Sequence, residues 1–148
     1  MTSGAVHSFR PHSSACAEAD RSRATKTRQV KKLATDLITT QLAMAMETPS
    51  QALESGWVLG YCFGVFDALA QQAELDDDDD VISLITLGFL GLFADPADPE
   101  AAMFVRRSLD YQDNPRFQEG AAAGGSDVFV WIADRAKAPK ALFEQLNR

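Results

Sequence analysis

Carboxylates are the residues of this chain whose type and spacing could do chemistry. Gly60-Tyr61-x-x-Gly64-x-x-Asp67-Ala68 recurs in spacing as Gly120-x-x-x-Gly124-x-x-Asp127-Val128. Both read Gly-x-x-x-Gly-x-x-Asp followed by a small or apolar residue. Aromatics lie beside each, Trp57 and Tyr61 in the first and Phe129 and Trp131 in the second. Two acids in one site titrate as a pair with separated pKa values and could do acid–base work. Tyr61, Asp67 and Asp127 are therefore the candidate ligand-binding residues; no catalytic residue is assigned. For Asp67 the plainer expectation is an acid at the rim of the fold that caps a neighbouring helix or pairs with an arginine.

Other chemistry is poorly supplied. The histidines are His7 and His12, so residues 13–148 lack the usual general base and the histidine-activated nucleophile systems. No Cys-x-x-Cys pair, phosphate loop or dinucleotide fingerprint is present. His7, His12 and Cys16 are metal-ligand types, but a tail without a second shell does not make a site. Neither a metal nor a cofactor is expected. The run Asp76–Asp80 suggests calcium, yet no glycine follows Asp80 and the twelfth position from Asp76 is Leu87 rather than Glu, so the EF-hand pattern fails. These aspartates are expected to charge and cap a helix that starts near Val81.

The element that must position the candidate acids is the stretch from Gly56 to Ala70. Gly56, Gly60 and Gly64 share one face at i, i+4 spacing, and each weakens a helix by about 1 kcal/mol relative to alanine. A glycine face repays that by letting a neighbouring backbone come close. Apolar residues cover the other sides, which places the helix at a centre. The runs Trp57–Phe66 and Val81–Ala94 are shorter than the roughly 20 residues that span a bilayer, so no membrane span is expected.

The predicted fold is all-α: a compact bundle of five to six helices around this central Gly-rich apolar helix. Residues 1–20 are read as a disordered basic tail and 21–148 as a single helical domain. A first helix from about Asp20 turns Val30, Leu33, Ala34, Leu37, Ile38, Leu42 and Met46 inward and stops at Thr48-Pro49. Thr48 or Ser50 caps the central helix, which runs to about Glu74. A helix over Asp79–Phe93 follows, then one from Pro99 to about Asp110 capped by Asp98, with Ala102, Val105 and Leu109 inward. Asp113-Asn114-Pro115 opens the last long segment. That segment either crosses the central helix through Gly120 and Gly124, or breaks at Gly124-Gly125 with Ser126 capping a fresh helix. In both cases Trp131, Ile132 and Ala136 face the core, Pro139 ends the helix, and Lys140–Arg148 add a final turn or two.

The formal charge of -7 hides a polarity. Residues 1–32 carry seven Lys/Arg and two Asp/Glu, whereas residues 33–148 carry seven basic and nineteen acidic groups. The acidic body is not expected to hold nucleic acid. Two cysteines make no disulfide framework, and no continuous apolar leader opens the chain; a reducing cytoplasm suits both features. The expected function is that of a small cytoplasmic, bacterial protein-interaction or adaptor module. Its expected partner is a protein, with a homodimer considered because Phe63, Phe66, Phe89 and Phe93 offer much apolar surface. The alternative is a ligand-binding or carboxylate-based catalytic bundle with a pocket near Asp67 and Asp127. The Gly60-Tyr61-x-x-Gly64-x-x-Asp67-Ala68 stretch resembles a motif in small helical immunity proteins of bacterial secretion systems. Those proteins are typically exported and disulfide-bonded; the likeness covers about ten residues and transfers no site residue.

Overall fold

A computed structural model describes the backbone of residues 2–148 and the side chains from residue 16 onward. Among the described residues it is all-α, with no strand. Seven helices follow one another: α1 (Thr2–Met44), α2 (Pro49–Ala52), α3 (Gly56–Gln72), α4 (Asp78–Gly91), α5 (Pro99–Asp110), α6 (Pro115–Ala133) and α7 (Ala141–Leu146). The two beyond the long five are short, α2 with 4 residues and α7 with 6. Residues 16–20, counted with the expected disordered tail, lie within α1; the side chains of residues 1–15, His7 and His12 among them, lie outside the described residues.

Capping chemistry sets most of the boundaries. Thr48 caps α2 through a capping box with Gln51, so the central helix starts later than Thr48 or Ser50 would place it, at a cap made by Ser55. Asp77 caps α4 by accepting from the Asp79 N–H, and Asp78, Asp79 and Asp80 fill its first turn, where the helix dipole favours negative charge. Asp98 and Asn114 cap α5 and α6, each with proline at the first helical position. Two residues beyond the ends of α1 and α3 the backbone turns left-handed, at Met46 with φ 58° and Glu74 with φ 60°.

Helix α3 is the centre. Twelve of its residues are buried, from Trp57 through Ala70. Phe66 meets Phe89 of α4 edge to face at 5.2 Å, and its ring lies where a side chain at Gly88 would be. Phe63 packs on Phe117 of α6, and Phe93 stacks on Phe104 of α5. The phenylalanines that suggested spare apolar surface are thus absorbed by the chain's own core.

Helices α3 and α6 meet backbone to backbone. A Cβ at Gly60 or Gly64 would overlap the carbonyls of Phe117 or Ala121; one at Gly120 or Gly124 would overlap those of Trp57 or Tyr61. The register climbs together along both chains, so the pair is parallel. It is also reciprocal: Gly60 and Gly120 hold equivalent places, as do Gly64 and Gly124. Helix α6 continues through Gly124-Gly125, so of the two alternatives the crossing through Gly120 and Gly124 holds and the break capped by Ser126 does not.

Four inward assignments fail. In α5 the buried residues are Ala101, Phe104 and Ser108, while Ala102 is exposed, Leu109 is 48% exposed and Val105 is half-buried: Phe104 is the largest apolar group and rotates the helix to bury itself. Ala136 is exposed because α6 ends at Ala133, before Pro139. Met46 is 91% exposed because its left-handed backbone turns the chain out of α1.

Two alanine substitutions separate propensity from packing. Gly60→Ala should destabilise by about 1–3 kcal/mol, the usual cost of overpacking, although alanine is the better helix former. Gly125→Ala, where a new Cβ meets nothing within 4 Å, should stabilise by about 0.5–1 kcal/mol. Urea melts of both variants decide; a Gly60→Ala variant as stable as wild type would refute the backbone contact.

Candidate functional site

Of the three candidate residues, the structure brings two together. Tyr61 is fully buried on α3 and donates its hydroxyl to Asp127 Oδ2 of α6 at 2.7 Å. Asp127 Oδ2 also accepts from the backbone N–H groups of Lys140 at 3.2 Å and Ala141 at 2.9 Å. Lys140 has no side-chain cap of its own, so Asp127 caps α7 from another helix. Asp67 is half-buried and accepts from Gln71 Nε2 at 2.9 Å, one turn along its own helix; no hydrogen bond joins it to Tyr61 or Asp127.

A fourth residue completes the cluster. Gln41 on α1 is 1% exposed. Its Nε2 donates to the Tyr61 oxygen at 2.9 Å, and its Oε1 accepts from the Phe143 N–H at 3.0 Å. One chain of hydrogen bonds thus links α1, α3, α6 and α7. The sequence holds a signal for Gln41: it sits in the inward stripe between Ile38 and Leu42, where a buried amide needs partners. Among the described residues no buried side-chain nitrogen or oxygen lacks one.

The glycine register accounts for the position of this cluster. Tyr61 stacks on Trp57 at 5.6 Å, both on the face that α6 approaches. Close approach at Gly120 and Gly124 brings Asp127 within reach of the phenol. The equivalent of Tyr61 on α6 is Ala121, which has no hydroxyl, so Asp67 finds no matching donor.

Burial decides the electrostatics of the cluster. Burial pushes the Tyr61 phenol well above its ordinary range; the Gln41 hydrogen bond opposes this in part and the Asp127 charge adds to it. Burial likewise raises the Cys62 thiol, which makes it an inert core group. Beside the cluster a groove of about 530 Å³ runs between the end of α1, α6 and the 134–140 connection. Met44, Asp127, Val130, Pro139 and Lys140 are among its lining residues.

No protein-family model matches the chain, and no curated protein or solved structure matches it either. Among the described residues no helix is long and apolar enough to cross a membrane.

Two outcomes test the clamp. Tyr61→Phe removes a bridging hydroxyl and should cost about 1–3 kcal/mol near neutral pH. Because the folded phenol holds its proton above the ordinary value of 10.0, the stability tied to it is complete below about pH 10 and is lost as pH rises and the unfolded chain ionises. The decline above pH 10 should therefore be shallower in Tyr61→Phe, by up to about 1.4 kcal/mol per pH unit. Parallel declines would contradict the burial argument. Asp127→Ala should raise hydrogen exchange in residues 140–146 selectively; uniform loss of protection would mean that α7 is held by something else.

Proposed function

We propose that this chain is a protein-interaction module that works through the surface at the end of α1. Met46 is the observation that carries the reading. It holds a left-handed backbone, φ 58°, which glycine or asparagine adopts at lower cost. It also leaves a large apolar side chain 91% exposed. The left-handed turn closes α1, with the Met46 N–H donating to the Ala43 carbonyl and the Glu47 N–H to that of Leu42; what the fold leaves unused is the exposed Met46 side chain. Met44, two residues earlier, is 56% exposed and borders the groove shared with Val130, itself 44% exposed.

The partner class is another protein, and a second copy of the chain is included in it. Methionines suit such a surface because they are flexible and polarisable. The reading of a carboxylate site at Asp67 and Asp127 has less support, since Gln71 engages one acid and Tyr61 with two backbone amides engages the other. A reducing, cytoplasmic and bacterial setting is part of the proposal, and the free, buried thiol of Cys62 fits its reducing part.

Met44→Asp with Met46→Asp should leave the melting temperature nearly unchanged, since exposed positions usually shift stability by less than about 0.5 kcal/mol. The same pair should abolish partner capture by the immobilised chain and any concentration-dependent self-association. Full retention of every bound protein by the double variant, with wild-type stability, would remove this surface from consideration.

A further inference from the structure

Charge along the body is not evenly spread. Of the seven basic residues in 33–148, four lie in residues 134–148: Arg135, Lys137, Lys140 and Arg148, against two acids there, Asp134 and Glu144. Arg135 is engaged, with its guanidinium 3.9 Å above the Trp131 ring. The ion pairs of the described residues are Arg23–Asp20, Lys32–Asp36, Arg107–Glu54 and Arg116–Glu119, and none includes Lys137 or Lys140. Both lysines line the groove whose apolar walls are Met44, Val130 and Pro139. The one carboxylate among its lining residues, Asp127, holds Oδ2 on three donors of its own chain. An apolar trough with unpaired cations at its rim thus sits on an otherwise acid-rich body.

Resting on the interaction reading above, we propose that this groove docks an acidic segment of another protein. An apolar side chain of that segment lies against Met44, Val130 and Pro139, while its flanking carboxylates meet Lys137 and Lys140. Charge complementarity selects this occupant. An anionic rim would repel it, and a basic or nucleic-acid-binding partner would find no matching charges here. The acidic run Asp76–Asp80 of a second copy is the less favoured occupant, because Asp77, Asp79 and Asp80 already share a cleft with Arg23 and Arg28 of their own chain. Lysines at the rim set the rate and salt dependence of docking, while the apolar trough sets the lifetime.

The test uses the full chain and fluorescence anisotropy with a labelled synthetic helix-forming peptide of about a dozen residues, glutamates flanking leucines at i, i+4 spacing. Binding should weaken with salt, and should weaken by about tenfold or more in Lys137→Glu with Lys140→Glu. Peptides with lysine for glutamate, or serine for leucine, should not bind. Arg106→Glu, a charge reversal on α5 away from the groove, should bind as wild type does, and circular dichroism should show all variants folded. Equal binding of the lysine peptide, insensitivity to the two lysine substitutions, or no binding of the acidic peptide would each overturn the proposal. Should partner capture still depend on Met44 and Met46 in that case, the interaction reading survives and only the acidic occupant is lost. Self-association that the lysine substitutions abolish and the acidic peptide does not displace would assign the groove to a second copy instead.

Discussion

The structure depends on one contact, the backbone-to-backbone approach of α3 and α6 through four glycines. Each glycine costs helix stability in isolation, and each stands where any side chain would strike a carbonyl of the other helix. The return is a helix pair closer than side chains ordinarily permit. At such range carbonyl oxygens lie against Cα atoms, and the many weak attractions of close packing accumulate. Four helices are laid against this pair, α1 and α4 on the α3 side, α5 on α3 and α4, and α7 in the angle between α1 and α6, while α2 packs on α1.

Reciprocity in that contact sharpens the meaning of the two aspartates. Asp67 and Asp127 occupy equivalent places on a parallel pair, yet one hydroxyl makes them different. Tyr61 stands where its counterpart is Ala121, so only Asp127 gains a buried donor. That donor fixes one carboxylate oxygen, which then gathers the first amides of α7. Gln41 ties the same phenol to α1 and, through Phe143, to α7 from the other side. A polar chain inside an apolar bundle is costly when incomplete and specifying when complete; this one is complete.

The clamp also positions the surface. By holding the start of α7, Asp127 fixes the 134–140 connection, and with it Pro139, Lys137 and Lys140 along the groove. The interior thereby orders an exterior of unlike character: exposed Met44 and Val130 with unpaired lysines, on a chain whose formal charge is -7. The proposed interaction role rests on the exposed methionines at the end of α1, and the proposed acidic occupant on the two lysines beside them.

Much of this was legible in the order of residues. Helical periodicity, proline and aspartate or asparagine caps, and the glycine spacing of Gly60, Gly64, Gly120 and Gly124 determined the all-α class and most helix starts, because these are local effects of backbone and capping chemistry. The sequence by itself also marked Tyr61, Asp67 and Asp127 as unusual. Tertiary packing decided the rest. Whether α6 crossed α3 or broke at Gly124-Gly125 turned on a partner backbone far away in sequence, which supplied the contact that offsets the glycine penalty. The rotation of α5 was settled by Phe104 finding Phe93, a long-range match that local periodicity leaves undetermined by one residue. The separate fates of Asp67 and Asp127, and the place of Gln41, required knowing which helix stood opposite, since a hydrogen-bond partner belongs to the assembled fold and not to the local chain.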